Sequence, residues 1–102
     1  MAKFVYVFTG AQSAPTPAEQ EQTMQAWGAW FATLGDAVTD PGNPFGTSAT
    51  ISSSGVADQG ASGAGGYTIV EADSLHDATT KATGCPVLQG GGSVEVYEAL
   101  AM

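Results

Sequence analysis

The stretch WGAWFATLGDAVTDPGNPFG, residues 27 to 46, holds both tryptophans of the chain and decides how the fold is read. Four apolar residues in and before it recur at spacings of three, four and three: Met24, Trp27, Phe31 and Leu34. This spacing is typical of one stripe of an amphipathic helix, and Gly35 is a typical C-terminal stop. The pattern therefore predicts that Trp27 belongs to the core. Trp30 flanks the stripe, which suits the edge of the core, a subunit contact or a pocket wall.

The residues that precede this helix predict a strand and a helix start. The run KFVYVFT, residues 3 to 9, is rich in aromatic and β-branched residues and is apolar on both alternating faces. Such a strand should be covered on both sides. Thr16 is a suitable N-cap, Pro17 suits the first helical position, and Glu19 stands at the capping-box position.

The second half of the chain repeats this strand and helix pattern. Strands are expected over residues 36–40, 67–73 and 93–97, residues 49–54 are a candidate return strand, and a glycine-rich loop or hairpin tip precedes residue 67. Ser74 predicts the N-cap of a second helix, with Asp77 at its capping-box position and Gly84 as its stop. Its expected buried face is narrow: Leu75, Ala78, Thr79 and Ala82. The order β, α, β, β, α, β is the ferredoxin-like plan of the α+β class.

Composition limits the classes of function. A chain of 102 residues suits a single domain over 1–102, and 43% hydrophobic residues suit a globular core. Ten acidic residues face two lysines and no arginine, a formal net charge of −8. This balance disfavours nucleic acid, anionic membrane surfaces and phosphorylated ligands as partners.

Two features of the sequence indicate a cytoplasmic protein. The first nine residues are apolar but too short to span a bilayer, and no signal-cleavage pattern follows them. The lone cysteine, Cys85, cannot form an internal disulfide, which agrees with a reducing compartment. It also cannot form a CxxC metal site, and we expect it to be a small buried hydrophobe.

Apolar residues on both faces of the strands present a packing problem. Two helices cover one face of a ferredoxin-like sheet, so the other face needs a second cover. Two sheets packed face to face would bury it. The expected assembly is therefore a homodimer, a dimeric α+β barrel with a cleft at the edge of each sheet.

Three segments carry a resemblance to a known family: WGAWFATLG, GGYTIVEADSLHDA and GCPVLQGGGSVEVYE. Together with their order, they resemble the YCII-related family of small bacterial proteins over nearly the whole chain. The resemblance implies a ferredoxin-like subunit in a dimeric α+β barrel and a biochemical role that is usually unassigned. Some members pair a first-helix histidine with an aspartate in an Asp-Gly-Pro-Phe-like loop. Here residues 16–34 hold no histidine, and Asp58 matches the aspartate without the Gly-Pro-Phe.

The candidate site residues follow from these patterns. The ligand-binding candidates are Tyr6, Trp30, Asp58 and Tyr67. Asp58 is a catalytic candidate through the resemblance, as the match to the family's aspartate. Glu71 is the best other carboxylate candidate, because its strand parity could turn it toward a partly enclosed face suited to proton transfer. Solvated strand carboxylates are the plainer interpretation of Glu71 and Glu95. His76, the single histidine, is expected on the surface, and no metal or cofactor site is predicted.

Two hypotheses about function remain from the sequence, with a third kept open. The first is a small dimeric binding or accessory module without catalysis, which takes a small apolar or aromatic compound. The second is an isomerase- or lyase-type enzyme that uses Asp58 or Glu71 for proton transfer on such a compound. The third is a purely structural partner-binding role.

Overall fold

The structure, a computed structural model, describes residues 2–10, 16–60 and 63–101. Its elements in chain order are β1 (Ala2–Thr9), α1 (Pro17–Leu34), β2 (Val38–Asp40), β3 (Thr50–Ser52), β4 (Gly55–Ala57), β5 (Ala64–Ala72), α2 (Leu75–Ala82) and β6 (Ser93–Ala99). Short 3-10 turns follow each helix, at Gly35–Ala37 and Pro86–Leu88. The α+β class is confirmed.

The strands form two separate sheets. Four of them make an antiparallel sheet in the order β2-β5-β1-β6. The other two, β3 and β4, pair only with each other as a hairpin. The expected return strand over residues 49–54 is therefore corrected: residues 50–52 belong to this hairpin and not to the main sheet.

The core lies on one face of the main sheet. Phe4, Tyr6 and Phe8 of β1 are buried on this face, and their partners across β5 are Val70, Thr68 and Gly66. The Tyr6 hydroxyl donates to the carbonyl of Ala78 in α2 at 2.6 Å, and its ring lies 5.9 Å from that of Trp30 in α1. Both helices therefore cover the same face.

The opposite face carries the other strand parity. Its apolar members are half-buried or exposed: Val5, Val7, Tyr67, Ile69, Tyr97 and Ala99. Both described helices pack on the other side, so the structure repeats the packing problem that the sequence raised. We call these residues the outer face.

The phase of α1 differs from the prediction. Trp30 is 4% exposed and Leu34 is buried, whereas Trp27 is half-buried and Met24 is 74% exposed. The indole Nε1 of Trp30 donates to the carbonyl of Lys81 at 3.1 Å. A Cβ on Gly84 would lie 3.3 Å from Trp30 Cδ1, so the end of α2 leaves room for this indole and for little more. The prediction that Trp27 is the core tryptophan is wrong: Trp27 packs at the margin of the core, because Met24, Trp27 and Phe31 of its stripe border a cleft while Leu34 is buried.

Both helix starts are capped by the predicted residues. The Thr16 hydroxyl accepts from the Glu19 N–H at 3.2 Å, and the Ser74 hydroxyl accepts from the Asp77 N–H at 3.1 Å. The Asp77 carboxylate accepts from the N–H of Asp73, one residue before the cap. These bonds satisfy backbone donors that a helix start leaves without helical partners.

The buried face of α2 is narrower than predicted. Ala78 and Ala82 are buried, whereas Leu75 and Thr79 are exposed. Alanines four positions apart make a flat strip, which lets the helix backbone come close enough to accept the Tyr6 hydroxyl. The larger Leu75 has no place in such a close contact.

Candidate functional site

A cleft of about 510 Å³ lies between α1 and the edge of the sheet at the start of β5. One wall is the helix stripe Met24, Trp27 and Phe31. The opposite wall is formed by residues 41–44 and 65–68, and Phe8 and Val87 close its inner end. Three of the four residues whose spacing predicts a core thus line a cavity, and the fourth, Leu34, is buried.

Two glycines near the start of β5, Gly65 and Gly66, border the cleft. Gly66 lies opposite Phe8 on the face toward the helices. The next residues of β5 on that face, Ala64 and Thr68, carry side chains. A Cβ at Gly66 would come within 3.1 Å of the Asn43 carbonyl, so glycine also lets the loop approach the strand. The space left is bordered by the Trp27 ring, which meets Phe8 edge to face at 5.0 Å.

The loop wall is held by a tight turn. The Asp40 Oδ1 accepts from the N–H of Gly42 at 2.9 Å, an Asx-type turn. Gly42 has φ +74°, and a Cβ there would lie 1.8 Å from the Tyr67 carbonyl oxygen. Only glycine fits this position. Beyond it the loop runs along β5, where the Phe45 N–H donates to the Gly65 carbonyl at 2.8 Å.

The surface of the cleft is apolar and carries no carboxylate, lysine or histidine among its described lining residues. The Thr68 hydroxyl, one of its few polar groups, donates to the Pro41 carbonyl at 2.9 Å. Lys3 and Glu71 are opposite each other in the register of β1 and β5, five residues along β1 from Phe8, and neither lines the cleft. The geometry suits an uncharged ligand with a flat apolar body, because aromatic walls give dispersion contacts and no charge compensation.

The four predicted ligand-binding residues are not brought together. Tyr67 borders the cleft at its edge although its side chain has the parity of the outer face, and its ring stacks on Phe45 with centroids 5.8 Å apart. Tyr6 is fully buried in the core, and burial, with the Asp77 charge as a lesser cause, raises its pKa to about 12. Trp30 is likewise a core residue. Asp58 is exposed at the end of the hairpin, outside the cleft.

The site residues that the sequence reasoning missed are Trp27, Phe31 and the loop wall. The signal was present in two places: a helix stripe with a large exposed Met24 at one end, and the pair Gly65-Gly66 at the start of a strand. Glycine inside a strand marks a close backbone approach or a place for a ligand. The two signals become one site only when the fold places them face to face.

The carboxylate candidates lie on the outer face. Glu71 is half-buried opposite Lys3, and Glu95 is exposed opposite Val7. The Tyr97 hydroxyl donates to Glu95 Oε1 at 3.0 Å, and this hydrogen bond raises the pKa of Tyr97. Neither carboxylate lines the cleft.

Cys85 and His76 are placed as the sequence predicts. Cys85 is buried, and burial raises the pKa of its thiol to about 11. His76 is exposed in the first turn of α2, where its carbonyl accepts from the Thr80 hydroxyl. Within residues 2–10, 16–60 and 63–101, no three His, Cys, Asp or Glu side chains stand close enough together to hold a metal ion.

Comparison with family models, curated proteins and solved structures finds no match to this chain. In the part of the chain that the structure describes, neither helix has the length and apolar character needed to cross a membrane.

Proposed function

We propose that this protein is a small-molecule-binding module, a homodimer of ferredoxin-like subunits of the YCII-related type. The observation that carries the binding proposal is the cleft of about 510 Å³ lined by Trp27 and Phe31. Its volume falls within the range of small-molecule sites, roughly 300–1,000 Å³. The strand order β2-β5-β1-β6 supports the ferredoxin-like part of the proposal.

The ligand of this proposal is small, apolar or aromatic, and uncharged. The helix wall offers two aromatic rings whose centroids lie 6.0 Å apart, Trp27 and Phe31. The net charge of −8 further disfavours anionic compounds. Binding would therefore depend on burial of apolar surface and on ring contacts, with polar groups of the loop wall setting the orientation.

The enzymatic alternative finds no support in the site geometry. A proton-transfer group must stand within about 3 Å of the substrate proton. Asp58 is exposed on the hairpin and Glu71 lies on the outer face, so neither lines the cleft that would hold a substrate. The binding role is therefore the function that the geometry supports best.

The homodimer is supported by the exposed area of the chain. One chain exposes 6867 Å². A compact monomer of 10.2 kDa exposes roughly 5,300 Å². The excess of roughly 1,500 Å² per chain is in the range that obligate dimers bury. The radius of gyration, 14.8 Å, likewise exceeds the value of about 13 Å for a compact domain of this length.

The binding proposal is tested with a neutral apolar dye. N-phenyl-1-naphthylamine fluoresces more strongly in apolar surroundings, so its titration into the protein reports occupation of the cleft. We expect saturable binding that weakens at least about tenfold in Trp27→Ala, a difference of about 1.4 kcal/mol.

The matched control is Leu75→Ala. Leu75 is an exposed apolar residue of α2 outside the cleft, so its removal should leave dye affinity unchanged. Equal affinities in the parent, Trp27→Ala and Phe31→Ala would contradict the binding role of the cleft.

A further inference from the structure

The hairpin formed by β3 and β4 stands apart from the main sheet. Its base is closed by two hydrogen bonds of 2.8 Å, from the Thr50 hydroxyl to the Gln59 carbonyl and from the Gly60 N–H to the Ser48 hydroxyl. Between these ends, Ile51 and Val56 are cross-strand partners and share one face. They are 80% and 70% exposed. We call Thr50–Ala57 the arm.

Such an arm is not stable by its own contacts. An isolated two-stranded hairpin is marginal in water, and a paired isoleucine and valine gain little unless a surface covers them. The molecule is only 19 Å thick along its shortest axis, as expected for one sheet and one helix layer. The hairpin pairs with no strand of the main sheet. Its two apolar side chains, Ile51 and Val56, are therefore exposed to solvent.

We propose that the arm packs against a second copy of this chain at the border of its outer face, beside the contact between the two sheets, with Ile51 and Val56 as its anchors. The proposal rests on the homodimer proposed above and adds the contact that locks it. Each copy has one arm and one outer face, so a two-fold arrangement buries both arms and both faces together.

The area available supports this occupant. Three strands of seven to nine residues and one of three residues make up the main sheet. At about 4.8 Å between strands and 3.3 Å per residue, its outer face has a footprint of roughly 400 Å². This is below the roughly 800 Å² per partner that a standard stable interface buries. Contact between the two outer faces alone is therefore small for a stable dimer, and the arm, whose Ile51 and Val56 are 80% and 70% exposed, offers further apolar area.

The charge distribution supports the same occupant. Residues 41–57, which contain the arm and the loop before it, hold no charged residue in a chain of net charge −8. Two copies of such a chain repel each other over most of their surfaces. An uncharged segment that contacts the partner near Glu71 and Glu95 adds no like-charge pair.

The test compares the dissociation constant of the dimer in the parent and in Ile51→Thr/Val56→Thr. Threonine keeps the β-branched shape and the strand preference of both residues while it makes the face polar. Light scattering over a dilution series gives the dissociation constant, and circular dichroism checks the fold. We expect the dissociation constant of the dimer to rise at least about tenfold in the double variant. The matched control, Leu100→Thr, changes an equally exposed apolar residue beyond the arm and should leave dissociation unchanged.

A second measurement covers the case in which the double variant unfolds. Val56→Cys is labelled with a polarity-sensitive thiol dye, while the buried Cys85 stays unreactive in the folded chain. A blue shift that follows the light-scattering mass on dilution supports the arm contact.

The outcomes separate the two proposals. A parent that is monomeric at all concentrations overturns the homodimer and the arm contact with it. If the protein is a dimer but its dissociation constant does not change in the arm variant and the dye emission does not follow the mass, the arm contact alone is overturned. Binding of the arm to a different protein or to the cleft would give this second result.

Discussion

At the scale of the residue, the two tryptophans of α1 have different roles. Trp30 is almost fully buried and bonded to the Lys81 carbonyl, whereas Trp27 is half-buried at the cleft. We expect Trp30→Ala to destabilise the fold by about 3–5 kcal/mol and Trp27→Ala by clearly less. Urea unfolding measures both. A larger loss for Trp27→Ala would restore the phase that the sequence predicts.

The sequence could not separate these two residues, for a physical reason. Helical spacing shows which side chains share a face, and it is silent on what stands opposite that face. Trp30 is in the core because Gly84 makes room for its ring and because the end of α2 offers a free carbonyl. Both facts lie more than 50 residues away in the chain. By contrast, Cys85 and the two N-caps were predictable, because composition and local hydrogen bonding decide them.

His76 provides a residue-scale test of the non-catalytic proposal. Its ring is exposed and it does not line the cleft. We expect His76→Ala to change stability by no more than about 0.5 kcal/mol, as at most exposed positions. It should leave dye affinity unchanged between pH 5 and 8. A pH dependence of dye binding that the parent shows and the variant loses would point instead to His76 as part of the site.

Two buried acids predict a loss of stability in alkali. Burial raises the pKa of Cys85 from 9.0 to about 11 and that of Tyr6 from 10.0 to about 12. The folded chain therefore holds both protons more tightly than the unfolded chain, so their contribution is complete below pH 9 and falls as pH rises toward 12. The urea midpoint should decline over this interval.

Cys85→Ala isolates one of the two groups. The variant should show a shallower decline between pH 9 and 11, while Tyr6 still acts above pH 10. In native protein at pH 8 the thiol should react slowly with a thiol reagent, and in denaturant rapidly. Fast native labelling would mean that Cys85 is accessible.

At the scale of the element, the loop after β2 has the most demanding geometry. Gly42 combines a positive φ with a position where a Cβ would overlap the Tyr67 carbonyl, whereas a Cβ on Gly46 meets nothing within 4 Å. We expect Gly42→Ala to destabilise the chain by more than about 1 kcal/mol and to weaken dye binding. Gly46→Ala should stay within about 0.5 kcal/mol of the parent. Similar losses in both would show that the turn does not shape the cleft.

Elements were predictable where local signals decide them. The start of each helix carries its own cap, and β1 and β5 carry dense β-branched and aromatic runs. The partner of a short strand is a different matter. Residues 50–52 are equally compatible with the edge of the main sheet and with a separate hairpin, because a three-residue strand has too short a hydrophobic pattern to select a register.

At the scale of the whole molecule, the proposed dimer makes folding depend on concentration. A chain that buries an apolar face only on association is stabilised by mass action. We expect the melting temperature to rise when the protein concentration is increased from about 1 to 100 μM, with the mass by light scattering at about twice 10.2 kDa. A melting temperature independent of concentration, with monomer mass throughout, would contradict the dimer.

The glycine at position 66 has a consequence for how this cleft can change over evolutionary time. A methyl group gained at this position would press on the loop wall and so alter the proposed binding cleft, without any change in Trp27 or Phe31. A Cβ there would lie 3.1 Å from the Asn43 carbonyl oxygen and 3.3 Å from the Pro44 Cα, so the loop would have to shift by a few tenths of an ångström. Alanine at this position would thus move the loop wall and with it the shape of the cavity. If the cleft binds a ligand as proposed, a substitution at Gly66 would change which ligands fit while the aromatic wall stays the same.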